Sequence, residues 1–420
     1  MHTKFEELLL QAHRYGETVI SPILVQYVRW MLEIAREQKL SRLYFLARDG
    51  HILKGLAQSI CQAQGLSMDC RYLYCSRHSL RTAAYCLLSP QKIADYLVEP
   101  SLQMTVNLIL DRARLTKAQK GALLAVCPLG DLDQSLNQEE FSAAFERLSA
   151  CPLFWELLNA RSQEAYENCM GYFAQEGLLQ GEICIVDSGW SGSMQHSLRL
   201  LLQHEGVTTP IRGFYFGMYQ TQKSPEDGIF HTFYFNAAGK LSDKAWFNNN
   251  LFECMLAAPH GMTVGYEKKN GRYIPVLQET RTAEELALVE QQEKGILDGL
   301  SATSGGRPSI MTHSQLAALV RRCMVYPTAE ERALLSHFRF SDSSTESRLL
   351  PLVEEGRRKE LNTRLFFRRL LRRLTRGRFP ASYHPYVWFY SAVQSAPKIL
   401  RPWYRYHEFF WECLRLSQKK

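Results

Sequence analysis

The sequence predicts an α/β fold built on a mostly parallel sheet. Three short apolar runs carry that prediction: residues 43–47 (LYFLA), 71–75 (RYLYC) and 183–186 (ICIV). Each has the length of a buried strand, each ends in charged, hydroxyl or small residues, and each is followed by helical periodicity. Repeated strand–loop–helix units of this kind build open α/β sheets, whose ligands sit at the carboxyl edge of the strands.

In chain order, residues 18–40 carry apolar side chains at helical spacing, with Pro22 placed near a helix start. The first strand, 43–47, runs into Arg48-Asp49-Gly50 and a helix over 51–64. The second, 71–75, ends in Ser76-Arg77-His78-Ser79, with Arg81 one helical turn beyond Arg77. Residues 90–180 read as helical with Pro and Gly only at breaks, which predicts a large helical insertion serving as a cap. The third strand, 183–186, is followed by Asp187, then by Ser188, Gly189, Ser191, Gly192 and Ser193, then by a helix over 194–202. Residues 211–218 and 229–236 are further extended segments. A short helix over 251–258 contains Glu253 and leads to Pro259-His260-Gly261. A hairpin over 262–276 turns at Asn270-Gly271. Helix returns over 283–300, residues 301–308 (SATSGGRP) form a linker, and 311–375 read as helical. The division is therefore 1–300, an α/β core with its insertion at about 90–180, and 309–420, a helical, basic and aromatic C-terminal region.

Composition narrows the class. Hydrophobic residues at 46% and charged residues at 22% are ordinary for a globular chain. Eleven cysteines, an odd number with no C-x-x-C pair, predict buried thiols in a reducing compartment, not a disulfide frame or a zinc site. The first residues lack a signal-peptide pattern, and no apolar run reaches the ~18 residues of a membrane span. The net charge of +8 is unevenly placed: residues 357–420 hold 16 Lys/Arg against 3 Asp/Glu, and the remaining residues hold 34 against 39. Within this tail, 364–378 (RLFFRRLLRRLTRGR) interleaves arginines with Leu and Phe. Aromatics follow at Tyr383, Tyr386, Trp388, Phe389, Tyr390, Trp403, Tyr404, Tyr406, Phe409, Phe410 and Trp411. Cations with aromatic anchors suit an anionic membrane surface, and no nucleic-acid motif accompanies them. The expectation is a cytoplasmic protein, peripheral on the inner membrane face through 357–420.

The central stretch carries the chemistry. Glycines let a backbone approach an anion, hydroxyls and N–H groups donate to it, and a helix N-terminus adds partial positive charge. Asp49, Arg77 and Asp187 at three strand ends make an edge suited to a phosphorylated sugar, arginine meeting phosphate and carboxylates meeting hydroxyls or a metal. A competing D-x-D-x-S pattern, Asp131 to Ser135, matches haloacid-dehalogenase-type phosphatases. Pro128 and Gly130 break the strand that pattern needs, so it reads as an inter-helix turn.

The run from Ile183 to Ser193 resembles the ribose-phosphate signature of type I phosphoribosyltransferases. Asp187 matches the first acidic position; Ser191, Gly192 and Ser193 match the 5′-phosphate loop; Ser188 stands at the second acidic position and Gly189 at an aliphatic one. Taken with F-L-A-R-D-G at 45–50, C-S-R-x-S-L at 75–80 and L-F-E-x-M-x-x-A-P-H-G at 251–261, the chain resembles a module of bacterial polysaccharide gene clusters, often fused to or paired with haloacid-dehalogenase-type phosphatases. The resemblance implies a phosphoribosyl-diphosphate-dependent ribofuranosyltransferase in O-antigen or capsule synthesis, with a glycan acceptor that is lipid-linked and Mg²⁺ as cofactor. It implies that Ser188, Gly189, Trp190, Ser191, Gly192, Ser193 and Met194 hold the 5-phosphate. Asp187 would hold ribose hydroxyls. Arg48, Gly50, Ser76, Arg77 and Arg81 would line the pyrophosphate side, with His78 a further candidate and Asp49 next to the metal. Glu253, His260 and Asp49 are the candidate general bases. The competing classes are a phosphoryl-transfer enzyme using Asp187 or Asp49, and a non-catalytic scaffold of a glycan-assembly complex.

Overall fold

The computed structural model describes residues 2–101, 104–220, 224–278, 281–303, 310–341, 345, 349–353 and 387–417. Its centre is a five-stranded, wholly parallel sheet of β1 (Arg42–Leu46), β2 (Asp69–Leu73), β3 (Ile183–Trp190), β4 (Ile211–Met218) and β5 (Ile229–Phe235), in the order β2-β1-β3-β4-β5. The α/β expectation holds. The strands are apolar on both sides because helices cover both faces. Leu43, Phe45, Cys184, Val186, Phe214 and Phe216 enter one core layer; Tyr44, Leu46, Ile183, Ile185, Ile211 and Tyr215 enter the other. The alternation is the period-2 signature of a pleated strand.

The first layer is covered by α1 (His2–Tyr15), α2 (Ser21–Glu37, Pro22 in its first turn) and α3 (Gly50–Gln64). A single π turn, Gly16–Ile20, joins the first two. The second layer is covered by α4 (Arg77–Ala84) and by the helices Pro152–Glu176 and Ser193–His204. The insertion is helical as expected, with α5 (Pro90–Leu97), α6 (Val106–Arg112), α7 (Lys117–Val126), α8 (Gln138–Ser149) and α9 (Pro152–Glu176). Leu97, Ile109, Phe141, Phe154 and Leu158 give it a core of its own. The D-x-D stretch is the turn between α7 and α8, where the Asp131 carboxylate accepts the Asp133 N–H at 3.0 Å. Beyond β3 lie α10 (Ser193–His204), α11 (Leu241–Ala245), α12 (Asn249–Met255), the hairpin of β6 (Met262–Lys269) and β7 (Arg272–Gln278), and α13 (Ala283–Thr303). Asn270 and Gly271 both have positive φ, as the sequence of the turn requires.

Three expectations need correction. β3 does not stop at Val186: Asp187, Gly189 and Trp190 continue the pairing with β4, because β4 is long enough to receive them. The first three residues of 301–308 belong to α13 rather than to a linker, and 304–308 lie outside the described residues. Residues 311–375 are not helical throughout. After α14 (His313–Val325) and α15 (Ala329–Leu335), two short strands, Arg339–Phe340 and Leu350–Pro351, pair antiparallel. The arginine-rich stretch 364–378, with Tyr383 and Tyr386, lies outside the described residues. Leu316, Val320, Trp388, Val393 and Tyr404 share one core with Phe45 and Phe214, so the described part of the C-terminal region packs onto the sheet layer itself.

The α1–α13 crossing is closed by glycines. A Cβ on Gly295 would lie 1.9 Å from the His13 carbonyl oxygen, and one on Gly16 would lie 2.2 Å from that of Gln292. Backbone cannot yield as a side chain can, so Gly295→Ala is expected to cost about 1–3 kcal/mol. A urea titration checks this: the midpoint falls while the slope stays the same.

Candidate functional site

Strand order reverses between β1 and β3, since the chain leaves β1 towards one edge of the sheet and β3 towards the other. Such a switch point opens a crevice at the carboxyl ends of the two strands. Asp49 follows β1, and Asp187 and Ser188 lie at the end of β3, so both carboxylates project into that crevice. The Ser188 hydroxyl donates to Asp49 Oδ2 and bridges the two strand ends. Asp49 occupies the position before α3 but makes no side-chain cap, so capping does not account for it. The Ala47–Arg48 peptide bond leading into it is cis.

A third carboxylate arrives from α12. Glu253 Oε1 accepts the Trp190 indole N–H at 2.8 Å. Trp190 has φ +79, and the preceding Gly189 has φ +111. This bend turns the indole out of the strand direction and into an aromatic group with Phe247 (5.2 Å between centroids) and Phe252 (5.8 Å). Gly189 is required there: a Cβ would lie 2.4 Å from the Gly217 carbonyl oxygen. Trp190 is thus a wedge that aims Glu253.

Burial and neighbouring carboxylates raise the proton affinity of Asp49 and Asp187. Burial first, then Glu253 and Asp187, hold the Asp49 carboxyl well above the usual carboxylate range, against the Ser188 hydroxyl and Arg48. Burial, reinforced by Glu253, pushes Asp187 up to about 7, against the N–H groups of Ser188 and Gly189 and the Arg77 guanidinium. Arg48, Arg281 and Arg339 line one small cleft with Asp49 and Glu253. Glu285, 3% exposed, receives Arg339 at 2.8 Å and approaches Arg281 at 3.8 Å. Among the described residues, no group of three or more His, Cys, Asp or Glu is arranged to hold a metal ion by itself.

At the rim, α10 starts with Gly192 at φ +70 and no side-chain cap. The N–H groups of its first turn therefore lack an acceptor from a capping residue. The Ser191 and Ser193 hydroxyls make no hydrogen bond among the described residues. Gln195, fully buried, anchors this turn: its amide donates to the carbonyls of Asp227 (2.6 Å) and Ile211 (3.1 Å) and accepts from the Tyr215 hydroxyl (2.7 Å). Met194 packs into the second core layer.

The structure thus brings together Arg48, Asp49, Asp187, Ser188, Trp190 and Glu253, with Ser191, Gly192 and Ser193 on the rim and Arg77 exposed close by. Other candidates have different work. Ser188 faces Asp49, not the rim, which shortens the expected phosphate loop of 188–194. Gly50 is a packing position, where a Cβ would lie 2.6 Å from the Phe45 carbonyl carbon. Ser76 caps α4 and donates to the Thr263 carbonyl at 2.6 Å. Arg81 is buried in an ion pair with Glu99 at 2.5 Å and lies over the Tyr96 ring. His78 is buried and pushed down to about 3, by burial and then by Arg114, Arg81 and Arg112, so it carries no charge to offer an anion. His260 has both ring nitrogens engaged, with the Gly261 carbonyl and the Tyr72 hydroxyl, each at 2.8 Å, and burial lowers its proton affinity. Sequence reasoning missed Tyr27 of α2, whose buried hydroxyl serves the carbonyls of Asp187 (2.9 Å) and Phe214 (2.8 Å), and missed Gln195, Arg281 and Arg339. A polar group in an otherwise apolar helical stripe was the available signal for Tyr27.

No known family model matches the chain, and no curated protein matches it in sequence.

The shift at Asp187 has a stability consequence. A carboxyl whose folded value is raised above its unfolded one stabilises the fold while protonated, and that contribution is lost as pH rises from about 4 to about 7. Asp187→Asn removes the loss, so the variant is expected to be more stable at pH 8 by about 1–3 kcal/mol, with the gain vanishing towards pH 4. Denaturant titrations of both proteins at pH 4.5, 6 and 8 check the slope; parallel curves would contradict it.

Proposed function

We propose that the chain transfers 5-phosphoribose from phosphoribosyl diphosphate to a hydroxyl of a glycan acceptor, releasing pyrophosphate. The observation that carries the reading is the pairing of a carboxylate crevice at the β1/β3 switch point with an uncapped helix start flanked by free serine hydroxyls. A sugar phosphate needs both: donors for its phosphate and acceptors for its hydroxyls.

In this reading the 5-phosphate lies against the first turn of α10, where the N–H groups and the Ser191 and Ser193 hydroxyls donate to it. Asp187 accepts from the ribose hydroxyls. As the bond from C1 to the pyrophosphate oxygen breaks, positive charge grows on the ribose ring, and the carboxylates of the crevice stabilise it. The leaving pyrophosphate faces Arg48 and Arg77, with Arg281 and Arg339 lining the same cleft as Arg48. Glu253, oriented by Trp190, takes the proton from the acceptor hydroxyl as the new bond to C1 forms. His260 is set aside as the base because neither ring nitrogen is available.

The donor set is compatible with Mg²⁺, a hard cation that prefers carboxylate, phosphate and water oxygens. Two carboxylates pushed towards neutrality indicate a crevice short of positive charge. Asp49 would hold the ion together with pyrophosphate oxygens, and the ion would supply positive charge to the leaving group. An acceptor carried on a lipid fits the basic, aromatic C-terminal region, and a separate haloacid-dehalogenase-type phosphatase would remove the 5-phosphate afterwards.

Calorimetry with phosphoribosyl diphosphate and Mg²⁺ tests the donor site. Specific binding is expected, lost in Asp187→Ala and weakened about ten- to a hundredfold in the Ser191→Ala, Ser193→Ala double variant, as two hydrogen bonds to a charged group would require. Absence of binding to folded protein overturns the reading. Glu253→Gln is expected to keep donor binding while slowing pyrophosphate release in the presence of acceptor by about 10²–10⁴; undiminished release removes Glu253 as the base.

A further inference from the structure

The helical insertion extends beyond the carboxyl edge of the sheet. At the end of β2, the Tyr172 hydroxyl of α9 accepts the Tyr74 N–H at 3.2 Å. About 15 Å along the axis towards the start of α9, Ser162 bonds to the Cys86 N–H and the Thr82 carbonyl, each at 2.7 Å. Helix α4 spans the same interval from the other side. Arg77, near the crevice, opens it, and Tyr85 follows its last residue about 12 Å away. At Tyr85 a cleft of about 850 Å³ opens between the end of α4, α5 and α9. Trp155, Asn159 and Gln163 form one wall; spaced by four, they share a face of α9. Leu88, Pro90 and Ile93 line it from the other side of the chain crossing. None of the lining residues is Asp, Glu, Lys, Arg or His, in a chain of which 22% is charged.

We propose that this cleft is a subsite for a neutral oligosaccharide, holding the sugar units of the acceptor that precede the one being modified. The lining pairs a fixed aromatic ring with available amides. The Trp155 indole N–H donates to the Ser149 carbonyl at 2.8 Å, and Phe154 packs edge-on at 5.4 Å, so the ring is held in place. Asn159 is exposed, and its amide makes no hydrogen bond among the described residues. The Gln163 amide donates to Glu167 at 3.1 Å, and its own carbonyl oxygen accepts none among the described residues. A sugar unit offers an apolar C–H face to a ring and hydroxyls to amides, which both donate and accept. An anionic ligand finds no countercharge here, and an apolar helix laid over the cleft would bury the Asn159 amide unpaired. The volume lies within the range of small-ligand sites, about 300–1,000 Å³. The inference rests on the glycan-acceptor reading and deepens it: the terminal sugar enters the crevice past Arg77 while earlier units occupy the cleft, so a chain is selected rather than a single sugar.

Calorimetry of the full-length chain with oligosaccharides of graded length, cut from the surface polysaccharide of the organism that makes it, tests the subsite. Longer oligosaccharides are expected to bind at least tenfold more tightly than the single sugar. Trp155→Ala and Asn159→Arg are each expected to remove that advantage while leaving the binding of phosphoribosyl diphosphate unchanged. Asn159→Arg puts bulk and charge at an exposed position of the cleft, so it keeps the test decisive if loss of the Trp155 indole disturbs the insertion. Binding that does not depend on length, or that neither variant weakens, overturns the inference. Absence of oligosaccharide binding overturns it too, and donor binding in the same sample shows whether the transferase reading survives. Length-dependent oligosaccharide binding without donor binding upholds the cleft as a sugar site and removes the transferase reading alone.

Discussion

Asp49, Asp187 and Glu253 share one low-dielectric crevice, and their mutual repulsion sets demands on everything around them. Burial and like charge favour protonation of the first two, while the N–H groups of Ser188 and Gly189, the Ser188 hydroxyl, Arg48 and Arg77 oppose it. The opposing groups arrive from three elements: the end of β1, the end of β3 and the start of α4. The crevice holds its shape only while those elements keep their register. Tyr27 contributes from the opposite layer, its hydroxyl tying the carbonyls of adjacent strands β3 and β4 at the level of Asp187. Such an arrangement is a crevice short of positive charge, in which the neutral form of the carboxyls is favoured.

The bend at Gly189–Trp190 distributes four successive side-chain positions to four tasks. Asp187 faces the crevice, Ser188 crosses to Asp49, Gly189 permits close approach to Gly217, and Trp190 turns into the aromatic group and donates to Glu253. A regular strand would send these side chains alternately to two faces only. The positive φ values at 189 and 190 break that alternation just where the sheet ends and the rim of α10 begins. The wall behind Trp190 is continuous, through Phe247 and Trp246, with Phe409 of the helix Arg401–Ser417.

Much of this was legible in the chain itself. The apolar runs at 43–46 and 183–186, the Asn270-Gly271 turn and the helical insertion all follow from residues close in sequence, and the structure agrees. Asp49 and Asp187 stood out because charge at the end of an apolar run has one natural place, the sheet edge. The errors have the same origin. Ser76 reads as a strand-end ligand and is a cap. Arg81 reads as a partner for an anion and is consumed by Glu99. Trp388, Phe389, Tyr390, Tyr404 and Trp411 read as surface anchors and are buried.

The sequence by itself determined the kind of elements, their order and which ends carry chemistry, because periodicity and turn preference act over a few residues. Tertiary structure decided which polar groups meet. Trp190 and Glu253 are 63 positions apart, Tyr27 and Asp187 are 160 apart, and Ser188 and Asp49 are 139 apart. It also decided which tail aromatics are covered, since burial depends on what packs against a helix face and not on the composition of that face. Long-range contacts are chosen by the competition among all surfaces for burial and hydrogen bonding, and no local stretch of chain contains that competition.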